Sequence, residues 1–356
     1  VYSGKNYKDH KILRLGDIVD RKDLSQIFEE IESQGKKVGA ISPFNADNRL
    51  KDPSFFIPDP WTKTKVSGNF MIKSIYSAVH QTVNDNSSGK LKIKSIFGLA
   101  LGFVRYVPFS RYIHYFKLIL SISKPGSKAI ILDSLLSDVF VNLLKSNSPD
   151  FSNLFLNSGA HIQHHYMFNS DAYKGSIKNP NWYCPKNYDP LIRVLKEYDH
   201  TLGRLLKISN LKIIVATALH QEAHPKTTFY WRINQHDKFL KKIGIKNYSN
   251  VIPRMSRDFL IKFDNKSDAE NAETILNSYV MNTDFLTIFK VDNRVDSLFV
   301  ELIYSKEIDH SNFIISKKFD IQIESFKKYI SFVAIKNGEH NGIGYLTSNF
   351  TLKNQN

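Results

Sequence analysis

Cysteine is nearly missing from this chain: Cys184 is the single one in 356 residues. One thiol cannot form an internal disulfide, which excludes a disulfide-stapled secreted scaffold and any metal site built on thiolates. A bound metal would have to be held by histidine and carboxylate. Long apolar runs are missing as well. The most apolar stretch, 95–123, is broken by Arg105, Pro108, Arg111, His114 and Lys117, so it falls short of the roughly 20 residues of a membrane-spanning helix. No basic, apolar, small-residue signal pattern precedes the first helical signal, and with the single cysteine this favours the cytoplasm as the expected compartment. Because the chain opens on Val1, a processed form or fragment with an upstream segment is expected. G-x-S-x-G, P-loop and Rossmann fingerprints are all absent from the sequence.

Acid is missing locally. Between Asn86 and Leu132 there are eight basic residues, Lys90, Lys92, Lys94, Arg105, Arg111, Lys117, Lys124 and Lys128, and no Asp or Glu. This segment holds more than half of the formal net charge of +15. Its basic residues alternate with apolar ones, as in Phe103-Val104-Arg105-Tyr106. Two readings follow: the solvated face of a helical insertion, or a cationic surface meeting a phosphate-rich partner, whether an anionic lipid, a nucleic acid or a charged substrate. On the second reading, Lys90, Lys92, Lys94, Arg105 and Arg111 are the substrate-binding candidates. No motif predicts specific nucleic-acid binding.

What is present otherwise is the material of a folded globular chain. Hydrophobic residues make up 42% and charged residues 23%, with 25 Phe and 17 Tyr available for a core. Spacing predicts a helix over 22–34, stopped by Gly35, then a buried strand over 37–41 that ends in a polar turn. The Pro-rich stretch 52–62 reads as irregular, and 70–147 as helical and basic. Strand is predicted over 151–157, followed by a polar His-rich turn, 158–165. A helix over 190–207 is opened by Asp189 and Pro190. Leu211–Thr217 reads as a buried strand with a polar loop after it. Further on come a strand over 258–263, a helix over 267–279 capped by Ser267, and strands over 285–291 and 297–304. The end reads as strand 329–335, polar loop 336–342 and a last strand at Tyr345. Helices feeding strands whose ends open into polar loops are α/β grammar.

Histidine placement is the most informative pattern. His161, His164 and His165 fall after one predicted strand, His220 and His224 after another, and His340 in a third loop. Neutral imidazole suits Zn²⁺, and loops at strand ends can bring ligands together from far apart in sequence. Cys184, in the aromatic run Asn181-Trp182-Tyr183-Cys184-Pro185, reads as an inert thiol.

Three segments carry a family resemblance: Phe56-Ile57-Pro58-Asp59-Pro60-Trp61-Thr62, Ser158-Gly159-Ala160-His161-Ile162-Gln163-His164-His165, and Glu197-Tyr198-Asp199-His200-Thr201-Leu202-Gly203. Together they resemble the alkaline phosphatase superfamily, nearest its type I phosphodiesterase/nucleotide pyrophosphatase-like branch. The resemblance covers most of the chain outside the basic insertion. It implies an α/β alkaline-phosphatase-like sandwich with a central, mostly parallel sheet, a basic helical insertion and a small α+β subdomain. The implied division is 1–69 as the first part of the core, 70–150 as the basic helical cap, 151–256 as continued core, 257–310 as the small subdomain, and 311–356 as the return to the core. It also implies a metal-dependent, phosphodiesterase- or phosphatase-like hydrolase of phosphate esters, with sulfatase-like chemistry as a variant. A divalent metal, zinc foremost, is the implied cofactor. Small-molecule or polymeric phosphate or sulfate esters are the implied substrates.

By that resemblance His164, His220 and His340 match family metal ligands, and the first strand and nucleophile are expected upstream of Val1. Two expected carboxylates are replaced, by Ala160 and by Leu219. His161, His165 and His224 are the substitute ligands. Two alternatives stand beside the hydrolase: a non-catalytic relative that binds a phosphorylated or sulfated ligand, and a protein docked on an anionic membrane through its basic insertion.

Overall fold

The computed structural model describes residues 2–12, 15–84, 93–254 and 257–352. It is a mixed α/β structure with several small sheets, one of them parallel. The chain begins with a short helical turn, α1 (Tyr7–His10), followed by α2 (Ile27–Ser33). Helix α2 starts later than the expected Lys22. The side chain of Gln26 is used on the backbone of Asp47, while Glu29 accepts from Gln26 N at 3.1 Å, and this pair sets the helix start. Gly35, at φ +74°, closes it as expected. Strand β1 (Val38–Ile41) is fully buried, and the Pro-rich stretch contributes a strand of its own, β2 (Phe55–Ile57). Its run of three buried residues is short enough for the flanking prolines to hide it from any reading by local pattern.

Helices α3 (Phe70–Asn84), α4 (Ile93–Tyr106), α5 (Tyr112–Leu120) and α6 (Ser127–Asn147) follow, as the helical reading of this region expects. Lys90 and Lys92 lie outside the described residues. Gly98 and Gly102 let α4 close on α3: a Cβ at Gly98 would meet Ser74 Cβ at 2.8 Å, and one at Gly102 the Ile75 side chain at 2.5 Å. Strand β3 (Phe151–Leu154) returns parallel to β1, in the order β2-β1-β3. All three strands therefore send their C-terminal ends the same way. At that end Asp59, fully buried, accepts from Asn45 N (2.6 Å), Trp61 N (2.7 Å) and Thr62 N (2.8 Å), tying the loop after β2 to the loop after β1.

The expected His-rich turn is a helix, α7 (Ser158–Tyr166). Its first turn is capped from a distance. Ser158 N and Oγ donate to Asp133 of α6 at 2.8 and 2.5 Å, and Gly159 N donates to the Tyr198 hydroxyl at 2.7 Å. Helix α8 (Pro190–Leu206) matches expectation, with Asp189 accepting from Leu191 N and Ile192 N. Strand β4 (Ile214–Thr217) is where it was expected but is exposed along its whole length. The expected polar loop after it is instead the long strand β5 (His220–Ile233).

Next come α9 (His236–Lys242), β6 (Asn250–Pro253), β7 (Asp258–Lys262), α10 (Lys266–Asn277), β8 (Tyr279–Met281), β9 (Phe289–Asn293) and β10 (Ser297–Leu302). Asn265, not Ser267, caps α10 by accepting from Asp268 N at 2.9 Å. Strands β11 (Ile314–Ser316), β12 (Ile321–Ile323), β13 (Ile330–Asn341) and β14 (Tyr345–Ser348) end the chain. The polar loop expected at 336–342 is largely the second half of β13. Its pairing with β5 fixes polar residues as strand, overriding their local preference.

The chain forms two compact units. The first comprises 1–162, 183–220 and 340–356, with the parallel sheet, helices α3–α6 and α8, and the antiparallel ribbon of β4 and β14. The second comprises 163–182 and 221–339. Its antiparallel sheet β6-β7-β10-β9 carries α10 on β9 and β10, and a second sheet runs β12-β11-β8. Strand β10 alternates half-buried and buried residues, the pattern of a sheet with one covered face.

The helices of the first unit are held by a buried ionic cluster. Asp138 of α6 has no side-chain exposure; it accepts from Arg111 Nε at 2.9 Å and the Tyr115 hydroxyl at 2.7 Å, and it pairs with Arg204 of α8. Beside it Glu197 lies 3.0 Å from His114 Nε2 and 3.7 Å from Arg111. Burial opposes ionisation of Glu197. The His114 and Ser134 hydrogen bonds and the Arg111 charge outweigh burial, holding the carboxyl below its ordinary value.

Removing Arg111 takes one of two guanidinium groups from the buried Asp138 carboxylate and leaves Arg204 as its only cation, so Arg111→Ala is expected to cost about 3 kcal/mol in urea unfolding, the low end for a broken buried pair. A carboxyl depressed in the fold stabilises it above the ordinary Glu range, and that stabilisation is lost as pH falls through the folded value. Glu197→Gln should therefore flatten the acid limb of the unfolding midpoint plotted against pH. An unchanged limb would show that Glu197 contributes nothing to it.

Candidate functional site

The expected site residues are divided between the two units. His161, His220 and His340 belong to the first, and His164, His165 and His224 to the second. In the first unit His220 opens β5, its Nδ1 2.8 Å from the Ile343 carbonyl; His161 and His340 are exposed. A carbonyl only accepts, so His220 Nδ1 carries the proton and Nε2 the lone pair. His164, on α7, has Nδ1 3.2 Å from the Gly338 carbonyl and takes the same tautomer.

That tautomer is the one a metal-ligating histidine adopts. The carboxylates that would complete a two-metal centre are another matter. Ala160 and Leu219 stand at their expected positions, and among the described residues no group of three or more His, Cys, Asp or Glu could hold a metal ion. Of the basic candidates, Arg105 is exposed, Lys94 lies on α4, and Arg111 is buried with its guanidinium committed to Asp138 and Glu197. Burial of Arg111 follows from its place at the start of α5, on the face turned to α6.

A different set converges in the second unit. His224 Nδ1 lies 2.8 Å from Glu339 Oε2, and its Nε2 lies 3.0 Å from Thr228 Oγ1. Lys336 Nζ approaches the same Glu339 oxygen at 3.1 Å. The carboxylate fixes the proton on Nδ1, so Nε2 is the acceptor and the Thr228 hydroxyl donates to it. Hydrogen bonds from His224 and then Lys336 hold Glu339 below its ordinary value. The result is a hydroxyl, a base and a carboxylate that orients the base, in hydrogen-bonded series.

The fold positions this set through a close approach of α7 to β13. A Cβ at Gly338 would lie 2.8 Å from the Gln163 carbonyl oxygen and 2.5 Å from Gln221 Oε1. Next to it Asn337, fully buried, accepts from Phe168 N at 2.9 Å and exchanges amide hydrogen bonds with Asn179. Thr228 and Glu339 carry no sequence motif that marks them. Of this set only His224 was a candidate, because 111 residues separate Thr228 from Glu339.

No model of a known protein family, no curated protein and no solved structure matches this chain.

Gly338→Ala is expected to push α7 away from β13, at a cost of about 1–3 kcal/mol. It should also shift the His164 and His224 imidazole resonances. Wild-type stability with unmoved resonances would show that the close approach is not required.

Proposed function

We propose that this chain is an ester hydrolase acting on phosphate or related sulfate esters, as its resemblance to the alkaline phosphatase superfamily implies. The observation that carries the reading is the series Thr228–His224–Glu339. In this scheme Thr228 Oγ1 attacks phosphorus and its proton passes to His224 Nε2. The bond from phosphorus to the leaving ester oxygen breaks, and that oxygen takes the proton from His224. Water, deprotonated by His224, then attacks the phosphothreonine; the P–Oγ1 bond breaks, Thr228 Oγ1 takes the proton back from His224, and the phosphate product leaves. Glu339 holds the imidazole in its tautomer and stabilises the imidazolium at each stage. His224 and Thr228 are both buried, so access requires movement of the exposed Pro225-Lys226-Thr227 segment between them.

A second reading, a non-catalytic binder of a phosphorylated or sulfated ligand, is favoured by Ala160 and Leu219 at the positions where the resemblance expects carboxylates.

Turnover of bis-p-nitrophenyl phosphate and p-nitrophenyl sulfate is the test, with and without chelator or added Zn²⁺. His224→Ala should lower kcat/KM by about 10²–10⁴-fold, and Thr228→Val should abolish turnover while circular dichroism is unchanged. Saturable ester binding without turnover would support the second reading. A zinc requirement lost in His164→Ala or His220→Ala, with Thr228→Val fully active, would assign the reaction to a metal centre and overturn the Thr228 mechanism.

A further inference from the structure

Helices α4 and α5 of the first unit present an apolar face outward. Phe97 and Val104 are seven residues apart on α4; Ile113, Phe116 and Leu120 follow the i, i+3, i+7 spacing of one face of α5; Phe109 lies in the turn between them. These six side chains each expose between 62% and 84% of their surface. The opposite face of α5 is already satisfied: Tyr115 and Leu118 are buried, and Phe103 of α4 packs on Tyr112 and Tyr115 with ring centroids 5.0 and 4.9 Å apart. The exposed set is therefore a second apolar face on helices whose core contacts are already made. Isolated exposed apolar residues are ordinary on a protein surface, but a set of this size on adjoining helices marks a surface that meets something apolar.

Charge decides what that something is. Arg105, Lys117, Lys124 and Lys128 are exposed in the same region, and 86–132 contains no acid. The first acids after the segment, Asp133 and Asp138, are buried and hydrogen-bonded inward to Ser158, Tyr198, Arg111, Tyr115 and Arg204, and Asp85, just before it, lies outside the described residues. Glu197 is taken up by His114, Arg111 and Ser134. An apolar face with cations beside it complements a layer with anionic headgroups above hydrocarbon. Length decides the mode of contact. Helix α4 has 14 residues, about 21 Å at 1.5 Å per residue, against a hydrocarbon core of about 30 Å. Among the described residues no helix is long and apolar enough to cross a membrane.

We infer that α4 and α5 dock this chain in the interfacial plane of an anionic lipid bilayer, with Phe97, Val104, Phe109, Ile113, Phe116 and Leu120 entering the acyl boundary and the flanking Arg and Lys residues holding the headgroups. This goes beyond the hydrolase reading and does not depend on it.

Vesicle co-sedimentation of the full chain tests it, using phosphatidylcholine vesicles with and without phosphatidylserine. The wild type should bind the phosphatidylserine vesicles and release as salt is raised. The triple variant Arg105→Ser, Lys117→Ser, Lys128→Ser should bind them about 100-fold more weakly. The variant Phe109→Ser, Ile113→Ser, Leu120→Ser should lose vesicle binding with an unchanged thermal midpoint, since all three side chains are exposed. Absent wild-type binding, or binding by both variants as tight as that of the wild type, would overturn the inference. It would also be overturned if light scattering showed a dimer that the apolar variant abolishes and no vesicle binding, because the face would then join two copies of this chain.

Discussion

Two buried carboxylates on one helix organise the first unit. Asp138 has no exposed side-chain surface, yet two guanidinium groups and a hydroxyl converge on it. Asp133, five residues earlier on α6, takes Ser158 at the start of α7 and the Tyr198 hydroxyl. Burial pushes the Asp133 carboxyl above its ordinary value, and the Ser158 and Tyr198 hydrogen bonds oppose that push. Neither acid can be lost cheaply: loss of Asp138 would take the shared carboxylate from Arg111 and Arg204, and loss of Asp133 would leave the Ser158 amide and hydroxyl without their acceptor. Helix α6 thereby fixes α5 on one side, α8 on another and the start of α7. The ionic core is what frees α5 to turn an apolar face outward without losing its place in the fold.

The acid-free segment takes on a sharper meaning in this light. Its basic residues do not act alike. Arg111 is an interior strut, whereas Arg105, Lys117, Lys124 and Lys128 are outward-facing. The membrane inference and the hydrolase proposal rest on different units of the chain and on different physics. One depends on exposed apolar area beside cations, the other on a hydrogen-bonded series of hydroxyl, imidazole and carboxylate.

Legibility followed the range of the forces involved. Helix α8 could be read because Asp189 and Pro190 signal locally, and β1 because its apolar run is bounded by turn residues. Helix α7 could not, since its cap comes from Asp133, 25 residues upstream. The second half of β13 could not either: Asn337, Gly338 and Glu339 read as a loop until Asn179, Gln163 and His224 are placed against them. At the candidate site the histidines drew notice by type alone. Which of them has a hydroxyl on one side and a carboxylate on the other depends on the pairing of β5 with β13.

Composition and local spacing were enough for the α/β character, the helices within 70–84 and 93–147, the concentration of positive charge in 86–132, and the exclusion of an internal disulfide by a single cysteine. These are properties of composition and of periodicity over a few residues, and the chain carries them wherever it goes. Tertiary structure alone decided that Arg111 faces inward, that Ser158 begins a helix, that β4 is exposed, and that Thr228, His224 and Glu339 stand in line. Each of these turns on a hydrogen bond or a burial supplied by a residue distant in sequence, and local pattern holds no record of such a partner.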